Sequence, residues 1–365
     1  MTVGFFAPLP PATTGVADYA AALLEEMRKL GRVDIASRRA DASLYHIGNN
    51  RLHRDFYLRA VEHPGVVVLH DAVLHHFLLG MLSEPQYCEE FVYNYGEWMR
   101  PLAAELWRNR ARSAADVRYF DFPMLKRIVA GARAVVVHNP AAARAVRRHA
   151  PDARVVEIPH LFVHPELPDA ADRVRFRERL ELTPRTCLVS VFGHLRESKR
   201  LLILLRAIQR AWLRGADARL LIAGEFASSD LERSLTPVLR DPRILRTGYL
   251  AEPDFWRYAA ATDVCVNLRF PTAGESSGIA VRMMGIGKAV IFTEGEEIAR
   301  IPENACLRVD VGVAEEEALA DTIVWLSSDR EASAEIGSRA ARHIAEEHAV
   351  EIAARRYWGI LKAST

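Results

Sequence analysis

Short apolar runs alternate with segments of helical periodicity along almost the whole chain. Runs bounded by Gly, Pro or polar residues predict buried strands, and apolar positions spaced three and four apart predict amphipathic helices. Strands that are continuously apolar are typical of parallel sheets covered by helices on both faces. We therefore expect an α/β protein. The predicted strands are residues 3–7, 33–36, 44–47, 66–69, 134–139, 155–160, 187–193, 220–223, 263–268, 288–292 and 307–309.

The length and the breaks in this alternation predict two domains. A chain of 365 residues is about twice a typical domain. We expect an N-terminal α/β domain over residues 1–165, a linker over 166–183, a second α/β domain over 184–345, and a final helical segment over 346–365. Residues 77–126 are helix-rich and aromatic and interrupt the first domain. Two interpretations of this insert stay open, a lid or acceptor-binding surface and an ordinary helical core.

Composition excludes some classes of function. The net charge of +1 implies neither nucleic acid nor a strongly anionic partner. Four cysteines lie far apart without a C-x-x-C pair, which indicates buried thiols in a reducing compartment. Neither a signal peptide nor an 18-residue apolar run is present, so we expect a cytoplasmic protein. A basic cluster near the first helix leaves a peripheral contact with the inner face of the membrane open. It comprises Arg28, Lys29, Arg32, Arg38 and Arg39.

The most informative stretch is residues 267–291, NLRFPTAGESSGIAVRMMGIGKAVI. It predicts a strand, a loop of small residues, a helix and a second strand. Gly and Ser let the backbone approach a ligand closely, and the first N–H groups of the helix have no partner within the helix. These donors and the helix dipole favour phosphate or sugar oxygens. Glu275 lies among them, and its carboxylate is suited to accept hydrogen bonds from hydroxyl groups.

A second loop has the character of a diphosphate site. The strand 187–193 ends at Gly193, and HLRESKR follows before the next helix. Cations are unfavourable at a helix N-terminus unless an anion is bound there. The guanidinium of Arg196 offers a fork to phosphate oxygens and Lys199 a point charge. We expect Arg196, Lys199 and Arg200 to meet an anion.

Polar residues follow several strands of the first half. The loop 9–15 contains Gly15 after the first strand, and the carboxyl ends of parallel strands line the ligand crevice of open α/β sheets. His75 and His76 either line this region or only contact the following helix. The histidines lack the spacing of a metal site, so we expect no metal and no cofactor. Asp18, His70, Asp71, His138 and Asn139 are the candidates at this edge.

Several motifs together resemble the retaining glycosyltransferases of family 4 (glycosyl transferases group 1). They are PLPPATTGVADYA, VVVLHD with LHH, VVVHNPAAARAV, VFGHLRESKR, NLRFPTAGESSG with GIGKAVI, and EEHAVEIAARRYWGIL. The resemblance covers nearly the whole chain, and its second-half motifs are the specific ones. It implies the GT-B fold, in which two Rossmann-like domains face each other across a cleft and the C-terminal helix crosses back to the N-terminal domain.

The resemblance also implies roles for individual residues. Lys199 matches the family's diphosphate lysine, whereas His194 stands after Gly193 where the family has an arginine, which makes Arg196 the substitute. Glu275 matches the first acid of a paired-glutamate motif that grips the donor sugar. Gly274, Ser276, Ser277 and Gly278 would hold the sugar and diphosphate, Gly15 matches the N-terminal glycine loop, and His70 matches a histidine near the reacting sugar. Asp18, Asp71, His138 and Asn139 are the acceptor-side candidates.

The sequence departs from the family at the second acid of that motif, which normally holds the ribose hydroxyls. Arg282 and Met283 stand there. The departure resembles a branch of the family with a G-E-[ST]-S-G motif and an arginine. This replacement leaves open how the protein recognises the nucleoside of its donor.

The activity implied is transfer of a hexose, with retention and without a metal, from a UDP-, GDP- or dTDP-sugar to a hydroxyl of a saccharide or glycolipid. Two alternatives stay open. One is a sugar-nucleotide epimerase with the same two-domain plan, and the other is a binding protein that has lost turnover. Donor base, sugar, acceptor and oligomeric state are not determined by the sequence.

Overall fold

The structure is a computed structural model, and it describes residues 1–12 and 14–365. These residues contain two parallel six-stranded sheets. Thr13, within the predicted loop 9–15, lies outside the described residues. The strands are β1 (Thr2–Phe6), β2 (Arg32–Ile35), β3 (Ala42–Ile47), β4 (Val66–Leu69), β5 (Ala134–Val137), β6 (Val155–Glu157), β7 (Cys187–Phe192), β8 (Ala218–Ala223), β9 (Ile244–Arg246), β10 (Val264–Asn267), β11 (Ala289–Thr293) and β12 (Leu307–Val309).

Helices connect the strands and cover the sheets. They are α1 (Gly15–Leu30), α2 (Arg54–Glu62), α3 (His75–Met81), α4 (Glu84–Tyr95), α5 (Arg100–Asn109), α6 (Arg118–Asp121), α7 (Lys126–Ala130), α8 (Pro140–His149), α9 (Ala170–Arg179), α10 (Leu201–Leu213), α11 (Ser229–Leu235), α12 (Glu252–Ala261), α13 (Gly278–Gly285), α14 (Glu315–Ser328), α15 (Arg330–Glu347) and α16 (Val350–Lys362).

The strand orders place the candidate loops together. The N-terminal sheet runs β2-β1-β3-β4-β5-β6 and the C-terminal sheet β12-β11-β10-β7-β8-β9, with every paired neighbour parallel. In the second sheet the chain proceeds outward from β7 to β9 and then returns to β10 on the other side of β7. Ligands of open α/β sheets bind at such a reversal. The loops after β7 and β10 therefore lie side by side, and the Phe270 amide donates to the Ser198 carbonyl at 2.8 Å.

The helical insert is mainly core. Tyr87, Phe91 and Tyr119 are fully buried and pack with β4 and β5 residues in one apolar cluster. Tyr93 and Trp98 are exceptions, with exposed fractions of 41% and 78%. Aromatic residues at helical spacing here therefore stabilise the N-terminal domain, as the second interpretation of the insert expects.

The C-terminal helix crosses back to the N-terminal domain, which confirms the predicted fold class. Helix α16 packs on α1, with Val350, Ala353 and Leu361 buried beside the β1 core. The Tyr357 hydroxyl lies 2.9 Å from the hydroxyl of Tyr19 on α1. The whole arrangement is the GT-B fold, whereas the exact domain limits proposed above stay a prediction.

Some predicted boundaries were wrong by a few residues. The strand predicted over 155–160 ends at Glu157, because Pro159 has no N–H to continue the ladder. The final helical segment, predicted over 346–365, forms helix α16 from Val350 to Lys362, and the backbone carbonyl of His348 accepts from the amide of Phe162 at 2.7 Å.

Two further observations concern the environment of the chain. All four cysteines are buried with free thiols. Within residues 1–12 and 14–365, no helix is both long enough and apolar enough to cross a membrane.

Candidate functional site

Glu275 is fixed in place by its own loop. Its Oε2 accepts hydrogen bonds from the Ala273 amide at 2.8 Å and from the Thr272 hydroxyl at 3.3 Å. The guanidinium of Arg269 pairs with its Oε1. These donors hold the carboxylate in one orientation while lone pairs remain for further hydroxyl donors. The geometry suits a carboxylate that grips a ligand.

The serines of this loop begin helix α13. Ser277 is the N-cap, and its hydroxyl accepts from the Ala280 amide at 3.2 Å. Gly278 is the first helical residue, so the first amides of the helix lie beside Glu275. This is the strand–loop–helix arrangement predicted from residues 267–291.

The same loop touches the N-terminal domain. Asn139 donates through Nδ2 to the Gly274 carbonyl and to the Ser276 hydroxyl, both at 3.0 Å. The Ala72 amide donates to the Ala273 carbonyl at 2.7 Å. Asn139 also caps α8 through its Oδ1, which accepts from Ala142. The loop that carries Glu275 is therefore positioned by both domains.

The contact between this loop and the N-terminal domain requires glycine at position 274. Gly274→Ala is therefore expected to reduce turnover by about a hundredfold, because a displacement of about 1 Å in an active site can cost that much. A Cβ atom there would lie 2.8 Å from the Cβ of Ala72. The loop would have to move away from the N-terminal domain. Turnover and melting temperature measure the effect.

The matched control is Gly215→Ala. Gly274 has φ +70° and Gly215 φ +86°, so both variants carry the left-handed backbone cost of about 1–2 kcal/mol. A Cβ atom added at Gly215, which lies between α10 and β8, would have nothing within 4 Å. Equal turnover in the two variants would show that the contact with Ala72 is unimportant.

Cations converge at the end of β7. Lys199 lies in a short 3₁₀ turn, Glu197–Lys199, and its ammonium donates to the Phe192 carbonyl. Burial, then the nearby Arg269 guanidinium, lowers the pKa of Lys199 to about 7. Among the described residues, neither Lys199 nor Arg196 forms an ion pair. A cationic group destabilised in this way favours a bound anion.

The other residues of the β7 loop differ in role. Gly193 has φ +86°, and a Cβ there would lie 3.2 Å from the Lys199 ammonium, so glycine leaves room for the lysine. His194 is exposed. The prediction that Arg200 meets the same anion is not supported by its contacts, since its Nε donates to buried Glu315 at 2.5 Å. Two cations rather than three therefore remain for an anion.

Histidines at the ends of three neighbouring strands form a hydrogen-bonded chain. His138 Nδ1 lies 2.9 Å from the Ile158 carbonyl, which can only accept, so this nitrogen carries the proton. His138 Nε2 then accepts from His70 Nδ1 at 3.2 Å, and His70 Nε2 accepts from His46 Nδ1 at 3.0 Å. All three rings are buried and neutral, and burial lowers their pKa values.

The hydrogen bonds of His70 bear on its predicted role beside the reacting sugar. Both of its ring nitrogens are engaged by other histidines, so neither points to a ligand as a free donor or acceptor. Tyr19 packs against the ring at a centroid distance of 4.8 Å. His70 is therefore placed to line and shape the site. His75 is structural, since it contacts the Tyr87 hydroxyl at 2.7 Å and the Phe122 carbonyl at 3.0 Å.

Acidification is expected to destabilise the protein before most carboxylates titrate. Burial lowers the pKa of His138 and of His53 to about 4, below the value of about 6.5 in an unfolded chain. Between those values the unfolded state binds more protons, so the free energy of unfolding falls as the pH falls from 6.5 towards 4. Each such histidine contributes a slope of about 1.4 kcal/mol per pH unit.

Melting temperatures at pH 7, 6 and 5 measure this effect, and they should decrease steeply below pH 6.5. The exposed His63 is the control, and His63→Gln should leave the profile unchanged. A melting temperature that is constant down to pH 5 would contradict the neutral histidine chain.

Asp71 lies between the hydrogen-bonded histidines and Glu275. Its Oδ2 accepts from the Asn49 amide at 2.7 Å. Burial and the Glu275 carboxylate raise the pKa of Asp71 to about 6. The structure therefore places Asp71 at the predicted site, where it faces Glu275 from the N-terminal domain.

Arg282 lies at another part of the cleft. Its guanidinium stacks over the rings of Phe255 at 4.0 Å and Trp256 at 4.3 Å and pairs with Glu252. Asp18 of α1 is close enough that Glu252 raises its pKa, after burial, while Arg282 lowers it. Gly15 opens α1 with nothing within 4 Å of a Cβ position, so open space lies beside it.

Several residues of this region were missed in the sequence. Arg269 comes shortly after the end of β10, and the strand-end rule that singled out His70 would have found it. His46 and Glu252 had no such signal, because their partners come from other strands and helices. Among the described residues, no group of three or more His, Cys, Asp or Glu side chains is arranged to hold a metal ion.

One known protein family matches part of the chain. Residues 186–329 match the family Glycosyl transferases group 1. This match covers the β7 and β10 loops with Lys199 and Glu275. No curated protein sequence matches the chain.

Solved structures share the fold over the full length. Anabaena HepE in complex with UDP and glucose is 14% identical, covers 100% of both chains and gives a TM-score of 0.70. A sucrose-phosphate synthase from Thermosynechococcus elongatus is 15% identical over 99% of this chain and 98% of its own, with a TM-score of 0.69. WaaG, a glycosyltransferase involved in lipopolysaccharide biosynthesis, is 12% identical over 98% and 99%, with a TM-score of 0.63. At these identities the likeness concerns the fold.

Proposed function

We propose that this protein is a retaining glycosyltransferase that moves a hexose from a nucleoside-diphosphate sugar to a hydroxyl of a saccharide or glycolipid. The observation that carries the proposal is the pair Arg196 and Lys199, which lack carboxylate partners among the described residues and lie beside the fixed carboxylate of Glu275. Unpaired cations suit a diphosphate, and a fixed carboxylate suits sugar hydroxyls. In this proposal the C-terminal domain binds the donor and the N-terminal domain contributes the acceptor side.

In the proposed chemistry the main contribution of the protein is to stabilise the negative charge that develops on the leaving diphosphate. The bond between the anomeric carbon and the diphosphate oxygen breaks, and its electron pair stays on the diphosphate. The acceptor oxygen forms the new bond on the same face, and its proton passes to the departing phosphate. Lys199, Arg196 and the first amides of α13 would stabilise the charge that develops, an effect worth several kcal/mol in enzymes. Glu275 and the Ser276–Gly278 backbone would hold the sugar.

We infer that Glu252 supplies the acid that position 282 lacks. Its Oε1 accepts from the Trp256 indole at 2.8 Å and pairs with Arg282, which orients the carboxylate and leaves Oε2 for a ligand. A carboxylate with one free oxygen suits the ribose hydroxyls of a nucleoside. Arg282 would then act by positioning Glu252.

UDP is the first donor base to examine. Anabaena HepE, which shares this fold, is described in complexes with UDP, with UDP and glucose, and with UDP-glucose. The same fold is compatible with other bases, so the proposal is a UDP-hexose first and a GDP- or dTDP-hexose next.

A thermal-shift panel of UDP, GDP, dTDP, ADP and CMP, with and without their sugars, tests the proposal. A ligand at about 100 times its Kd adds roughly 2.7 kcal/mol to the free energy of unfolding, which raises the melting temperature by a few degrees. We expect one base to stabilise the protein clearly. Stabilisation by none of them would contradict the donor site.

A further inference from the structure

The side chain of Asn139 joins the two domains at the loop that carries Glu275. Asn139 follows β5 by two residues and is only 3% exposed. Its amide nitrogen donates to the Gly274 carbonyl and to the Ser276 hydroxyl, both at 3.0 Å. Gly274 and Ser276 are the neighbours of Glu275 in the chain. One residue of the N-terminal domain therefore holds the loop on both sides of the carboxylate.

The orientation of this side-chain amide is fixed by helix α8. Asn139 is the N-cap of α8, and its Oδ1 accepts from the Ala142 amide at 2.9 Å. A backbone N–H can only donate and a carbonyl can only accept, so the oxygen faces Ala142 and the NH₂ group faces Gly274. Both N–H groups of Asn139 are then used by the loop. The side chain has no donor left for an acceptor substrate.

The side chain of Ser276 faces the N-terminal domain as well. Its hydroxyl accepts from Asn139 and lies 3.4 Å from the His138 carbonyl, to which it donates. The single hydrogen of this hydroxyl is therefore used within the protein. At this position the backbone is the part available to a donor sugar, and the side chain fixes that backbone.

The backbone of Ala273 provides another connection to Glu275. The Ala72 amide of the N-terminal domain donates to the Ala273 carbonyl at 2.7 Å. The Ala273 amide in turn donates to Glu275 Oε2 at 2.8 Å. A movement of the loop away from the N-terminal domain would therefore also move a donor that orients the carboxylate.

Two further contacts between the domains are ion pairs at the surface. Arg144 pairs with Glu296. Arg300 pairs with Glu157 at 3.1 Å. Both arginines are more than half exposed, and ion pairs in contact with water contribute little to stability. Asn139 is buried, so the loss of its hydrogen bonds would leave polar groups of the loop unpaired, which costs more.

We propose that Asn139 is a positioning residue for the donor sugar. The N-terminal domain would then determine how tightly Glu275 grips that sugar, in addition to forming the acceptor side. The role rests on the proposed function, because that function assigns the donor sugar to Glu275. Among the described residues, Asn139 forms no hydrogen bond with Arg196 or Lys199. Its loss should weaken binding of the sugar part of the donor and leave binding of the diphosphate unchanged.

The Asn139→Ser variant tests this role, because serine also caps helices but is too short to reach the loop. Calorimetric titration of the full chain with UDP and with UDP-glucose gives the two affinities. We expect UDP-glucose to bind about tenfold more weakly than to the wild-type protein, the worth of roughly one hydrogen bond, and UDP to bind equally well. Asn50→Ser is the matched control. Asn50 is exposed and caps a short turn, where its Oδ1 accepts from the Leu52 amide at 3.0 Å.

Hydrogen–deuterium exchange of the free protein gives a second measurement that needs no donor. Residues 272–278 should exchange about tenfold faster in Asn139→Ser than in the wild-type protein, because the loop has lost its buried contact. Arg300→Gln removes an exposed ion pair between the domains and should leave the exchange of this loop unchanged. If the serine variant does not fold, Asn139→Asp replaces it in both measurements. Aspartate keeps the cap and the size of the side chain but presents an oxygen to the Gly274 carbonyl.

The proposal is overturned if the Asn139 variant weakens UDP and UDP-glucose equally or weakens neither. It is also overturned if the loop exchanges as in the wild-type protein, or if Asn50→Ser or Arg300→Gln has the same effects. Failure of the wild-type protein to bind UDP would instead contradict the proposed donor. The exchange of residues 272–278 would then decide by itself whether Asn139 holds the loop.

Discussion

The Glu275→Gln variant is expected to turn over a bound donor about a hundredfold or more slowly than the wild-type protein, with its fold intact. Glutamine has the same shape but replaces one carboxylate oxygen with an NH₂ group. Arg269, Thr272 and the Ala273 amide all present donors to Glu275. One of them would then face another donor, so both the grip on sugar hydroxyls and the orientation of the side chain would be lost. Donor turnover and melting temperature are the two measurements.

Glu178→Gln is the matched control for this substitution, because Glu178 is an exposed residue of α9 away from the cleft. It should have wild-type turnover. Near-normal turnover in Glu275→Gln would move the grip on the donor sugar to another residue. A large loss of melting temperature would show that the loop, rather than the chemistry, had been tested.

The Lys199→Ala variant is expected to weaken UDP binding by about 10- to 100-fold, the worth of a charged hydrogen bond of roughly 1.5–3 kcal/mol. Burial and Arg269 lower the pKa of Lys199 to about 7 in the free protein, so its charged form is disfavoured until an anion arrives. A diphosphate would restore the charged form. Calorimetric titration with UDP measures the change in affinity.

Lys288→Ala provides the control, because burial lowers the pKa of Lys288 as it does that of Lys199, whereas Lys288 lies elsewhere in the domain. Lys288 donates to the Ala260 carbonyl at 2.7 Å, and burial lowers its pKa to about 8. It precedes β11 and so lies at the amino end of the sheet, away from the cleft. Its loss should lower the melting temperature without changing the affinity for UDP. Unchanged affinity in Lys199→Ala would contradict the diphosphate assignment.

Local patterns predicted the loops of the site well. The β7 and β10 loops follow continuous apolar runs and carry small residues, and each is local in sequence, so period and turn chemistry were sufficient. The loop with Gly274 and Glu275 forms as expected, and its glycine has the positive φ that a tight loop needs. The crossing of helix α16 back to the N-terminal domain was expected from the resemblance to a known family rather than from a local pattern.

Pairings between distant elements were not predictable. Arg200 is next to Lys199 in sequence, yet it pairs with Glu315 of α14, more than one hundred residues away. Arg282 is oriented by Glu252 from another helix. The histidine chain from His46 to His138 depends on strand order, which a single sequence does not specify. Electrostatic partners of this kind follow from topology rather than from local composition.

The measurement that tests the central claim most directly is a ¹H NMR time course of the full chain with a UDP-hexose and a saccharide acceptor. We expect UDP release together with a new anomeric signal of the same configuration as the donor. A product with the opposite anomeric configuration would contradict retention. Conversion of the donor without any acceptor would indicate an epimerase, and bound UDP with no turnover would contradict the transferase itself.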